Sequence, residues 1–198
     1  MNMDLILSVC VGLGLSAACG FRIFVPLLIT SIAAHSGQLS LAPSFDWVGS
    51  TGALVTFSIA TALEVGAYYI PWLDNFLDTL ATPSAVVAGS VVTASMITDM
   101  SPLLKWSLAV VAGGGIAGAV QATTVLARGF SLTGSGGLAN PLVATAELGG
   151  SIMTAIAAIL TPVLALLLVA TIVGIAIYKL VRRRVSAHEP PVIAATPV

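Results

Sequence analysis

The chain has 198 residues, of which 58% are hydrophobic and 8% charged, and its mean hydropathy is +1.07. A soluble domain carries about 25% charged residues, so this composition excludes an ordinary water-soluble globular protein. Eight acidic and seven basic residues nearly cancel, which excludes a broad basic face for nucleic acid and leaves one local basic cluster near the C-terminus. The length accommodates five or six spans of about 20 residues each. The expected fold is therefore all-α integral membrane, with a single transmembrane domain over residues 1–185 and a disordered cytoplasmic tail over 186–198.

The opening Met1-Asn2-Met3-Asp4 lacks the basic n-region of a secretory signal peptide. Segment one spans Leu5 to Ala34, too long for one perpendicular helix. Gly20 and Pro26 fall inside it with Arg22 between them, so a tilted or broken helix is predicted. Cys10 and Cys19 lie in apolar sequence without CxxC spacing and read as small core residues. His35 to Trp47 is a loop. Segment two runs from Val48 to Ile70, carries Glu64 in its second half, and is closed by Pro71.

From Trp72 to Leu80, apolar Trp72, Leu73, Phe76, Leu77 and Leu80 share one helical face, with Asp74 and Asp78 on the other. This pattern predicts a short interfacial amphipathic helix with an acidic wet face. Segment three starts at Pro83. Segment four covers Leu103 to Leu126, with Gln121 within it and Arg128 as the charge at its end. Ser131 to Gly137 reads as a flexible loop, and Asn140-Pro141 opens the next helix.

Pro141 to Val181 is apolar except for Glu147 and Lys179. As one helix it would measure about 60 Å, twice the hydrocarbon thickness, so it must break. A break at Pro162 gives about six transmembrane helices, the reading favoured here; a break at Gly149-Gly150 gives five. Lys179 and Arg182-Arg183-Arg184 then place the C-terminus in the cytoplasm.

Three landmarks recur in order. Gly12 to Ala18 resembles Gly113 to Ala119, Ala60 to Gly66 resembles Ala144 to Gly149, and Thr82-Pro83 resembles Thr161-Pro162. Three spans per half would make residues 5–100 and 103–182 a 3+3 inverted repeat with broken helices, the architecture many transporters use. Composition offers the alternative account, since Gly- and Ala-rich membrane segments resemble one another.

Glu64, Glu147 and Arg22 are the ionisable residues inside apolar segments. Such residues usually face the protein interior or a water-filled path, so with Gln121 they are the candidate lining of a polar path. Arg22 needs a counter-charge or backbone carbonyls, which Glu64 or Glu147 can supply. Gly113-x-Gly115-x-x-Gly118 matches a dinucleotide pattern only formally, because no strand precedes it. Its glycines read as a helix-packing surface. No catalytic motif, metal-ligand cluster or cofactor motif is present in the sequence, and no enzyme activity is expected.

The run Ala17-Ala18-Cys19-Gly20-Phe21-Arg22-Ile23-Phe24-Val25-Pro26-Leu27-Leu28 resembles a bacterial family of small multi-pass membrane proteins known only as a domain of unknown function. Ala62-Leu63-Glu64, Ile70-Pro71-Trp72-Leu73-Asp74, Thr82-Pro83, and Asn140-Pro141 through Glu147 also look like that family. Gly149 stands where the resemblance leads one to expect a second acid, so a paired acidic site is not carried over. The resemblance implies the bacterial inner membrane and no established activity. Two functions follow as expectations. One is a small channel or transporter acting as a homo-oligomer. The other is a non-transporting scaffold or accessory subunit bound to a partner in the bilayer.

Overall fold

The computed structural model describes residues 3–136 and 138–186, and no strand occurs among them. In chain order the helices are α1 (Met3–Cys19), α2 (Phe24–His35), α3 (Thr51–Ala67), α4 (Pro71–Met96), α5 (Pro102–Leu108), α6 (Gly115–Ser135), α7 (Asn140–Leu160) and α8 (Pro162–Ser186). A 3-10 turn, Pro43–Gly49, precedes α3, and a π turn, Ala109–Gly114, joins α5 to α6 without interrupting the rod. The protein is an all-α membrane protein. Thr79–Met96, Pro102–Gly134 and Asn140–Leu160 are each long and apolar enough to cross a bilayer. The 3-10 turn with α3, bent by 64°, forms a fourth such unit, and α1, α2 and Pro162–Thr171 are shorter apolar helices.

Local sequence explains most of the boundaries. Ser50 caps α3, its hydroxyl accepting from the Ala53 N–H at 3.1 Å. Pro71, Pro102, Pro141 and Pro162 all sit in the first turn of their helices, where the missing N–H has no ladder partner to lose. Gly136 ends α6 in the left-handed conformation at φ 61°, which glycine adopts without steric penalty.

Helix α1 lies at the centre, packed against α4, α7, α8, α6 and α2. Leu15, Cys19, Val92, Met96, Ala117, Ala155 and Ala158 form the main buried cluster. Small residues set the helix spacing. A methyl group on Gly20 would stand 2.6 Å from the Ala117 carbonyl oxygen, and one on Gly12 would stand 3.1 Å from Thr93 Cα. The close approach also lets hydroxyls cap carbonyls across helices. Thr93 donates to the Gly12 carbonyl at 3.1 Å, Ser16 to that of Gly113, and Ser151 to that of Ala18 at 3.0 Å. Gly113 and Gly118 of the formal dinucleotide pattern, with the intervening Gly114, belong to this packing surface, against Thr93, Val86 and Ser90, whereas Gly115 does not.

Two expectations hold, the broken first segment and the break at Pro162, and others are corrected. The first span is two helices, and its break lies at Gly20 to Ile23. Pro26 is not itself a break, because it occupies the third position of α2, inside the first turn. The amphipathic stretch from Trp72 is not a separate helix: α4 runs unbroken through Pro83, which forfeits only one ladder hydrogen bond. The loop expected from Ser131 is helical as far as Ser135, with Thr133 Oγ1 bonded back to the Gly129 carbonyl at 3.1 Å. The long apolar stretch breaks at Thr161-Pro162, and Gly149-Gly150 stays helical. The side chains of Asp74, Asp78, Lys179 and the Arg182–Arg184 cluster, and the tail from residue 187, lie outside the described residues.

Replacing Gly20 with alanine forces α1 and α6 apart and should destabilise the protein by about 1–3 kcal/mol. Gly115 faces open space, with no atom within 4 Å of where an alanine methyl would stand. It should accept alanine with a change between zero and about 1 kcal/mol of stabilisation. Thermal unfolding in detergent compares the two. Equal behaviour would mean that glycine packing does not set this interface.

Candidate functional site

The site is built around the α1–α2 break. Arg22 N–H still bonds to the Ala18 carbonyl at 3.2 Å, but the next two N–H groups leave the helical ladder. Glu64 takes both: Ile23 N donates to its Oε1 at 2.8 Å and Phe24 N to its Oε2 at 3.0 Å. A side chain of α3 thus caps the N-terminus of α2. The placement suits charge as well as hydrogen bonding, because a helix N-terminus carries about half a positive charge.

Helix α7 serves the other side of the break. Ala144, Glu147 and Ser151 recur at three- and four-residue spacing and therefore share one face. The Ala144 carbonyl accepts from Arg22 Nη2 at 2.9 Å, and Glu147 Oε2 lies 3.3 Å from the same nitrogen. Arg128 of α6 grips Glu147 through both oxygens, with Nε donating to Oε1 at 2.9 Å and Nη2 paired with Oε2. Three consecutive residues, 22 to 24, consequently hold both carboxylates. The four charged residues are nearly sealed from solvent: Arg22 is 3% exposed, Arg128 4%, Glu147 5% and Glu64 8%.

Tyr68, one helical turn beyond Glu64, completes the cluster. The Arg22 guanidinium lies 3.6 Å from its ring centroid and that of Arg128 4.5 Å. One aromatic ring therefore faces two cations, an arrangement that cation–π attraction supports. Arg22 Nε and Nη1 are buried and have no hydrogen-bond partner among the described residues. Gln121 is buried on α6, seven residues and two turns before Arg128.

Of the residues singled out by sequence, Arg22, Glu64 and Glu147 converge and Gln121 shares the α6 face. Gly20 lies at the break, Asn140 and Pro141 open α7, and Pro162 opens α8, so these four shape the frame around the charges. Arg128 and Tyr68 escaped the sequence reading. Arg128 stands eight residues before Gly136 and Glu147 eight residues after Ala139. Equal distances from the turn of a helical hairpin place two residues side by side, but a loop read from Ser131 hid that symmetry. Tyr68 gave only its spacing from Glu64.

Two apolar cavities adjoin the break without being lined by its charges. One of about 440 Å³ opens between α2, the 3-10 turn, α3 and α4, lined chiefly by Leu27, Phe45, Trp47, Phe57, Val87 and Val91. Another of about 180 Å³ lies against α8. Neither is lined by a glutamate or an arginine of the cluster.

Residues 9–182 match the family described as Domain of unknown function (DUF4126). The chain belongs to that family. The match takes in the helix break, both glutamates and both arginines, so the whole cluster lies within the family's extent. No curated protein and no solved structure matches the chain.

The cluster predicts a strong, non-additive response to mutation. Arg128→Met leaves Glu147 with Arg22 alone and should lower stability by about 3–5 kcal/mol, because an incompletely paired charge remains buried. Adding Glu147→Gln should recover part of that loss. Unfolding measurements on the two single variants and the double variant form the cycle; simple additivity would show that the two residues are not coupled.

Proposed function

We propose that this member of the DUF4126 family is a small channel or transporter for an ion or small solute, with Arg22, Glu64, Arg128 and Glu147 lining the polar part of its path and Gln121 extending it along α6. One observation carries the reading. Two buried donors of Arg22 have no acceptor among the described residues, although two carboxylates and a carbonyl are close by. A purely structural buried ion network uses its donors, since each unmet one weakens the fold. Charged groups at a helix break within an apolar domain are also where transporters bind solutes.

The halves 5–100 and 103–182 form an inverted repeat in this reading. In its support, Glu64 of α3 and Glu147 of α7 flank the same three residues from opposite halves of the chain. Pro83 inside α4 and Pro162 at the start of α8 mark where the halves have diverged. The protein resides in the bacterial inner membrane with its C-terminus cytoplasmic, following the Arg182–Arg184 cluster, and works as a homo-oligomer or with a partner subunit. It is not an enzyme in this account.

A second reading, a non-transporting scaffold, is favoured by the two-pronged Arg128–Glu147 pair and by a largest described cavity that is apolar. Flux separates the two. Liposomes carrying the wild-type protein should dissipate imposed ion or proton gradients faster than empty vesicles. Glu64→Gln and Glu147→Gln should lose most of that flux while remaining folded. Flux at the empty-vesicle level for all three folded proteins would assign the chain to the scaffold role.

A further inference from the structure

We propose that the N-terminus of α2 is a binding site for a small monovalent carboxylate, and that the Glu64 side chain is its tethered occupant. That such an anion is also the transported solute rests on the transport reading above. Ile23 and Phe24 present two adjacent N–H groups, and each oxygen of one carboxylate receives one of them, at 2.8 and 3.0 Å. The receptor therefore already fits a planar, two-oxygen anion, and it is preformed by a twelve-residue helix whose dipole favours negative charge there.

A second observation points to a ligand beyond Glu64. Arg22 directly precedes the two amides, is 3% exposed, and keeps Nε and Nη1 without hydrogen-bond partners among the described residues. Its guanidinium lies on Tyr68, one turn from Glu64 on α3. Unused donors on the buried guanidinium that adjoins the receptor in the chain are what a second carboxylate would engage, as the planar guanidinium fork matches carboxylate geometry.

Charge balance sets the valence. The break contributes Arg22 and the buried thiol of Cys19, α3 contributes Glu64 and Tyr68, α6 contributes Arg128 and α7 contributes Glu147. Among the described residues these two cations and two anions sum to zero. If a monovalent anion takes the amides while Glu64 moves aside and accepts a proton from water, the sum stays zero. A divalent anion would leave a net negative charge in a dry site. One proton therefore accompanies each anion.

Formate is the smallest probe with the right head group. In Glu64→Ala the amides are vacated, and the purified protein in detergent should melt several degrees lower than wild type. Sodium formate should restore the melting temperature saturably, well beyond sodium chloride at equal concentration, and should leave wild type at neutral pH unmoved. Arg22→Met added to Glu64→Ala should weaken the formate response at least tenfold in midpoint concentration. If Glu64→Ala does not fold, Glu64→Gln serves, because its neutral amide competes less well than a carboxylate and should admit formate where wild type does not. A response no larger in the variants than in wild type, or chloride acting as well as formate, would overturn the assignment. Absent flux with an intact formate response would sink the transport reading alone; flux without a formate response would sink this site alone.

Discussion

A helix that breaks inside an apolar layer leaves N–H groups that no water can satisfy, and each unmet group there costs several kcal/mol. At the α1–α2 break Glu64 meets that requirement from α3, and most of the architecture follows from it. The carboxylate must reach residues 23 and 24, so α3 has to return alongside α2. Its charge has to be balanced, so cations must be near. Arg22 supplies one and brings α7 to the break through Ala144 and Glu147. Glu147 in turn recruits Arg128 and with it α6. The sequence of demands closes into one cluster that ties four parts of the chain together.

Such a cluster is stable only if the backbones around it come close enough to exclude lipid and water. Apolar burial supplies little drive between helices already surrounded by hydrocarbon, so tight packing and interhelical hydrogen bonds carry more of the load. Gly12, Gly20 and Gly113 provide that proximity around α1. Ser16, Thr93 and Ser151 then convert it into side-chain-to-carbonyl bonds across helices. The small residues and the charged ones are thus parts of one design: the first bring the helices together, the second fix where the chain departs from helix.

The same geometry limits what the cluster does at rest. Glu147 is held from two sides and Glu64 is seated on a helix terminus, so neither is free in this conformation. Any passage of solute requires one of these contacts to open. Glu64 is the more readily displaced in principle, because its partners are neutral amides, whereas Glu147 faces two guanidinium groups. Asymmetry between the two glutamates is a property of their partners; in sequence they look alike.

By itself the sequence determined the solvent and the helices. Hydropathy required a membrane fold, and proline at the first turns of α4, α5, α7 and α8 marked where helices begin. It also marked Arg22, Glu64 and Glu147, since a charge in an apolar run is visible without a structure. It misjudged continuity at Pro83 and Ser131, where local breaker signals were outweighed by the ladder on either side. Arg128 looked like a helix end because the turn that follows it lies farther along than composition suggested. Which acid pairs and which one caps was decided only by tertiary structure. That choice depends on how α3, α6 and α7 are rotated about their axes against the break, and rotation is set by packing of residues far apart in the chain.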